Sequence, residues 1–245
     1  MIKKFLIILF LVLISAYLVV AATAFNRRPK AQVCPGMELI IKDSVNYGFV
    51  SKKEIEKTLK QKRIFPVGKK QNEINIRQIE NVLNEHPFID EAECYYTPSG
   101  KIGIKIIQRI PLLRIMANNG ENYYLDNKGR IMPIPENIAH VTIATGFIDR
   151  KFAQHELYEL SRFISNNPFW NAQIEQIYVT PKKEFELVPR VGQHIIFLGS
   201  LGDYEERFGK LKTFYKKALN EVGWNKYSRI SIEFNNQIIC TKKEK

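Results

Sequence analysis

Phe5 to Ala24 is an uncharged run of 20 residues built mainly from Leu, Ile, Val, Phe and Ala, and it constrains this chain more than any other feature. Coiled as a helix it reaches about 30 Å at ~1.5 Å per residue, enough to cross the hydrocarbon core of a bilayer. Lys3 and Lys4 precede it, and Arg27, Arg28 and Lys30 follow it. A four-residue tail is a poor candidate for export, whereas large domains are translocated largely regardless of flanking charge. The reading is a cytoplasmic tail at 1–4, a signal-anchor helix at 5–25, a linker at 26–36 and the bulk of the chain outside. Ala22-Thr23-Ala24 also fits a signal-peptidase site, which leaves retention or cleavage after Ala24 open, although the apolar run exceeds the ~7–15 residues of a usual signal core. No second run approaches the ~20 residues of a span, so a polytopic transporter is excluded.

Beyond the first 26 of the 245 residues, 219 remain, which suits one or two domains of the usual ~100–200 residues. With 45% hydrophobic and 25% charged residues, wholesale disorder and collagen are excluded. Lys and Arg number 37 against 25 Asp and Glu, a net charge of +12. The excess lies in short clusters such as Lys52-Lys53 and Lys216-Lys217, without a zinc finger, an interleaved aromatic motif or a basic arm. That distribution predicts solvated faces beside a phospholipid surface and no nucleic-acid partner. Cys34, Cys94 and Cys240 form no paired motif. Cys94 and Cys240 sit in alternating apolar runs and read as core, with Cys34 as a candidate exposed thiol.

The exported part opens with a strand at Glu38–Ile41. Ser51 and Glu54 form a capping box for a helix carrying Ile55 and Leu59. Asn75 caps a second helix with Ile76, Ile79, Val82 and Leu83 on one face, stopped by His86-Pro87. Strands at Ala92, Cys94, Tyr96 and at Ile102, Ile104, Ile106 flank a turn at Pro98-Ser99-Gly100. The result is a β-α-α-β-β module over 37–110. The remainder, 111–241, is strand-rich. A hairpin is predicted at Tyr123–Ile131, with Gly129 free to take positive φ. A strand ends in Gly146, and a helix covers 151–166 with Pro168 beyond it. Strands follow at 174–178, 185–189 and 194–198. Asp203 and Glu206 predict a cap on a helix with the stripe Tyr204, Phe208, Leu211, Tyr215, Ala218 and Val222, and Gly223 reads as its left-handed C-terminal residue. A closing strand carries Ile230, Ile232 and Phe234, a turn lies near Asn235-Asn236, and Ile238–Cys240 follows. Residues 242–245 read as a tail.

Catalytic chemistry is hard to assemble from these residues. His155-Glu156 lacks the second histidine of a zinc-protease motif, since position 159 is Glu. His86, His140, His155 and His194 are isolated. There is no nucleophile elbow, phosphate loop or dinucleotide fingerprint. Asp126 and Asp149 read as turn acids that satisfy backbone amides. No enzyme activity, cofactor, metal or small-molecule substrate is expected. What remains is a strand near the chain end, which is either an edge whose open row can accept a partner strand or a strand fully paired inside the domain.

The run ENVLNEHPFIDEAECYYTPSGKIGIKIIQRIP resembles the second helix, stop and two strands of a POTRA domain. The sequence after it resembles the β-domain of the FtsQ/DivIB family of bacterial cell-division proteins. Tyr124–Arg130 is similar to its hairpin, Ile143–Gly146 to its strand ending in Gly, Leu201–Leu219 to its long helix and Ile230–Phe234 to its closing strand. Two places depart from the pattern. The usual Glu-Arg-x-Pro is Gln108-Arg109-Ile110-Pro111, and the usual Asp-Leu-Arg is Ser231-Ile232-Glu233, which reverses a charge.

The resemblance implies an α+β protein with a transmembrane helix, a POTRA domain, and a mixed α/β domain with a mainly antiparallel curved sheet and a C-terminal edge strand. It implies a bitopic inner-membrane scaffold of the divisome, periplasmic in bulk and placed at the division site. That scaffold would bind FtsB/FtsL-type proteins by strand addition, with the septal synthase pair FtsW/FtsI as further candidates, and would help couple septum assembly to peptidoglycan synthesis. By the same resemblance the contact falls on Trp224, Ile232, Phe234, Asn235, Asn236, Gln237, Ile238 and Ile239. The rivals are a POTRA-containing outer-membrane assembly factor, which needs tandem repeats or a barrel, and a cleaved secreted protein.

Overall fold

The computed structural model describes residues 10–21, 32–42 and 48–243. Residues 10–21 are helical, and 10–20 are exposed. The rest of the expected span at 5–25 lies outside the described residues, and among those described no helix is long and apolar enough to cross a membrane. The chain's own contacts divide it into two compact units: 1–42 with 50–107, and 43–49 with 108–245.

The first unit is a three-stranded sheet in the order β1-β3-β2, with β1 parallel to β3. Its elements are β1 (Met37–Lys42), α1 (Lys52–Gln61), α2 (Ile76–Asn84), β2 (Ile89–Tyr96) and β3 (Ile102–Gln108). Local chemistry sets the helix starts. The Ser51 hydroxyl accepts from Glu54 N while Glu54 reaches back to the Ser51 amide, and Asn75 Oδ1 accepts from Gln78 N at 3.0 Å. Ile55, Leu59, Ile79 and Leu83 bury completely, as do Ile102, Ile104 and Ile106 on β3. Gly103 is required opposite Tyr95, because a Cβ there would lie 2.5 Å from the tyrosine ring.

Residues 32–36 are docked rather than a free linker. Cys34 N donates to Lys69 O at 2.8 Å and its carbonyl accepts from Gly68 N at 3.0 Å. These bonds bury Cys34 to 1% exposure, which corrects its reading as an exposed thiol.

The second unit is built on a nine-stranded sheet in the order β12-β11-β10-β9-β8-β7-β4-β5-β6. Its strands are β4 (Pro111–Ala117), β5 (Asn122–Asp126), β6 (Ile131–Met132), β7 (Thr142–Gly146), β8 (Ile174–Val179), β9 (Phe185–Pro189), β10 (Ile195–Gly199), β11 (Tyr227–Ser231) and β12 (Ile239–Lys242). Five of its pairings are antiparallel and three parallel, so the sheet is mixed. Gly146 has φ of +104°, and a Cβ on it would strike the Val179 carbonyl at 2.2 Å.

Helix α3 runs from Arg150–Phe152 through a π-turn at Ala153–Leu157 into Tyr158–Asn166. Pro168, expected only as a stop, opens α4 (Pro168–Gln173), capped by Asn167. Proline suits that first position because its missing N–H would have no helical partner there. Helix α5 runs from Tyr204–Phe214 through a second π-turn at Tyr215–Leu219 to Asn220–Val222. An i→i+5 turn holds one extra residue and shifts the phase of the buried face. The stripe therefore continues through Phe208, Leu211, Tyr215 and Leu219, while Ala218 is half-buried and Val222 is exposed. Gly223 has φ 93° and ψ 140°, a glycine-only conformation other than the left-handed helical one expected.

Gln108 and Arg109 count with this unit because Arg109 is bound into it. Arg109 Nε donates to Asp126 at 2.8 Å, and the fully buried Asp126 also takes Arg130 Nε at 2.8 Å and the amides of Lys128 and Arg130 at 2.9 and 2.8 Å. Asp126 is a turn acid as expected, and also the centre of a buried charge cluster.

Candidate protein interface at the C-terminal sheet edge

The last two strands define the candidate site. β12 pairs antiparallel with β11, Ser231 opposite Ile239, Ile230 opposite Cys240 and Arg229 opposite Thr241, with an irregularity between Tyr227 and Arg229. β12 is the margin of the nine-stranded sheet. Lys243 N donates to Lys226 O at 3.1 Å, and Ile232 N donates the other way, to Phe197 O, at 2.8 Å. Strand backbones alternate the sides to which their polar groups point. Ile239 and Thr241 therefore bond inward to β11, and Cys240 and Lys242 turn their amides to the open side. On the faces of the strand, Ile239 is 45% exposed, Thr241 is exposed and Cys240 packs against the core. Burial raises the Cys240 thiol above its ordinary range.

The edge is held by α5. Arg207 is buried, and its guanidinium donates to Leu198 O and Ser200 O at 2.6 Å each, to Glu233 O at 3.2 Å, to Ile232 O at 3.4 Å and to Gly202 O. Desolvation lowers its basicity, opposed by the charges of Asp203 and Glu233. Three residues further along, Lys210 donates to Asn235 O and pairs with Glu206 at 2.6 Å. The expected Asp203–Glu206 capping box is absent. Asp203 takes a left-handed conformation with φ 49° and makes no cap. Its carboxylate instead accepts from Asn235 Nδ2 at 3.0 Å. Residues 203, 207 and 210 thus fix the chain between β11 and β12.

At the other end of β11, Trp224 stacks edge-on against Tyr215, ring centroids 5.1 Å apart. Its Nε1 donates to Asn220 Oδ1 at 3.2 Å. Tyr215 OH meets His194 Nε2 at 2.7 Å. Burial pushes His194 below its ordinary value, with the Trp224 carbonyl opposing the shift, although His194 Nδ1 is buried without hydrogen-bond geometry to any partner.

The structure separates the expected contact residues. Phe234, 50% exposed, lies in a bend after β11, which ends at Ser231 rather than 234. Asn235 and Asn236 form the turn, Gln237 is exposed and Ile238 packs against the core. Ile239 alone of the expected set is on the edge strand. Ile232 is 1% exposed, a core residue removed from the surface by the bond from its amide to Phe197 O. Trp224 belongs to the opposite end of the strand pair. Lys242 falls outside the expected set, because a charged chain end reads as a tail. Lys242 is in fact the last residue of the edge strand. Among the described residues no group of His, Cys, Asp or Glu could hold a metal ion.

A family model described as "FtsQ/DivIB, C-terminal related" matches residues 110–241, more than half of the chain. A second, described as "POTRA-like domain", matches residues 32–107, which includes the docked segment before β1. A search of curated proteins gave no match. The sheet of the second unit and the β-α-α-β-β module before it agree with these matches, and the chain belongs to the FtsQ/DivIB family, with a POTRA-like domain preceding the family's C-terminal domain.

Proposed function

We propose that this chain is a non-enzymatic scaffold of the bacterial divisome, anchored in the inner membrane by the segment 5–25 with its two units in the periplasm. The open side of β12 takes a strand from a small FtsB/FtsL-type division protein. The supporting observation is the alternation along β12: Cys240 and Lys242 offer their amides and carbonyls outward while Thr241 and Ile239 bind β11. An added strand finds a preformed hydrogen-bond ladder and the exposed Ile239 side chain beside it. Recruitment of a partner here places it where it can help couple septum assembly to peptidoglycan synthesis.

The test is depletion in the protein's own cells, followed by rescue with wild type or Lys242→Pro. Depletion should give long filaments with separated nucleoids and no completed septa, and the variant should fail to rescue at normal protein levels. Normal division with a misassembled envelope would overturn the reading and favour the outer-membrane assembly factor.

A further inference from the structure

In the first unit, β2 is the margin next to α2 (Ile76–Asn84). Ala92 N donates to Asn84 Oδ1 at 2.8 Å, and Cys94 N donates to Glu80 Oε1 at 2.8 Å. These two amides are i and i+2 on one strand, so they point the same way. Their acceptors are i and i+4 on one helix, so they share a face. The spacings match: about 6 Å for four helical residues and about 6.6 Å for two strand residues. Ile79 and Leu83 on the same helix are buried, and the helix packs alongside β2.

We propose that α2 closes the β2 edge with its own side chains, so that Glu80 and Asn84 occupy the positions a partner strand's carbonyls would take. The POTRA-like unit is thereby barred from strand addition at β2 unless both acceptors are displaced. The Asn84 and Glu80 latches are equal in length, 2.8 Å each. The charge of Glu80 is also felt at the Cys94 thiol, which burial, aided by that charge, raises to about 12. Edge strands with free amides are templates for association, and side chains that satisfy them remove the template. β2 and β12 belong to different units, so the closing of β2 is independent of the partner proposed for β12.

Native-state hydrogen exchange on the full chain tests it, read by NMR at single amides. In the wild type, Ala92 and Cys94 should be protected although no strand lies beyond them among the described residues. Asn84→Ala should speed exchange at Ala92 about tenfold and leave Cys94 slow, and Glu80→Ala should do the reverse, the size of one hydrogen bond lost from a local opening. Glu80→Gln keeps an oxygen acceptor and should keep Cys94 protected. Fast exchange at Ala92 and Cys94 in the wild type would overturn the proposal, as would rates unchanged by both alanine variants. If an alanine variant loosens the whole unit, β3 amides speed up as well. Glu80→Gln then decides, with slow exchange at Cys94 supporting the latch and fast exchange beside protected β3 amides ruling it out.

Discussion

At β2 the outward amides of Ala92 and Cys94 are bonded to Asn84 and Glu80. At β12 those of Cys240 and Lys242 turn to a side on which no strand lies among the described residues. Among the described residues both strands have one margin without a neighbouring strand, and of the two it is β2 that has a helix alongside with acceptors at the right rise. α5 uses its polar side chains differently: Arg207 and Lys210 bind carbonyls of the chain leading into β12 and leave the strand's outer side uncovered. A sheet edge is thus open or closed according to what its nearest helix does with its polar residues.

The largest expected effect comes from Arg207→Met. It leaves several buried carbonyls without their donor and should cost about 3 kcal/mol or more of the second unit's stability in urea unfolding. Exchange protection in β11 and β12 should fall while Ala92 and Cys94 in the first unit keep theirs. Equal loss in both units would break the comparison.

Proline scanning along β12 comes next. Thr241→Pro removes an inward ladder bond and should destabilise the β11–β12 pair by about 2–3 kcal/mol. Lys242→Pro removes an outward donor and should change stability by well under ~1 kcal/mol, yet weaken capture of an FtsB-type segment by about tenfold or more, measured by titration. Similar unfolding midpoints for the two variants would show that the inferred alternation is wrong.

A smaller effect concerns which amides respond to the partner. Binding should slow exchange at Cys240 and Lys242 by about tenfold or more and leave Ala92 and Cys94 at their already slow rates. Slowing at Ala92 and Cys94 instead would move strand addition to the POTRA-like unit.

The smallest effect is on pH. His194 is held below its ordinary 6.5 by burial. The unfolded chain therefore binds the proton first as pH falls, and the second unit should be fully stable above about pH 6.5 and lose stability below it. His194→Gln should flatten that slope, read from Trp224 fluorescence in a Trp170→Phe background. A slope unchanged by the substitution would assign it to other groups.

Local rules made much of this chain legible in advance. The Ser51–Glu54 box, the Asn75 cap, the alternation at Ile102, Ile104 and Ile106, and the Gly129 turn each depend on a few neighbouring residues. Periodicity placed Ile79, Leu83, Leu157 and Leu160 inside, since a repeat of 3.6 or 2 is written in the order of residues itself. The order of such pieces sufficed for the POTRA-like module and for the family of the domain after it.

What only the tertiary structure decided involves partners far apart in sequence. Asp203 followed the pattern of a helix cap, but Asn235, across the fold, claims its carboxylate. Cys34 became buried because Lys69 and Gly68 bind the chain around it. A π-turn, invisible to residue spacing, moved the buried stripe of α5 from Ala218 to Leu219. Ile232 and Phe234 share a parity that a strand would put on one face, yet the strand ends at Ser231, so one is core and the other surface. The closing of β2 belongs here too: Glu80 and Asn84 look like ordinary polar residues on a solvated helix face until the helix is laid beside the strand. Sequence alone determined most of the helices and strands, because their signals are local, but it missed β4 (Pro111–Ala117) and α4 (Pro168–Gln173). Which edge stays open was decided by packing, because it depends on which side chains reach which amides across the fold.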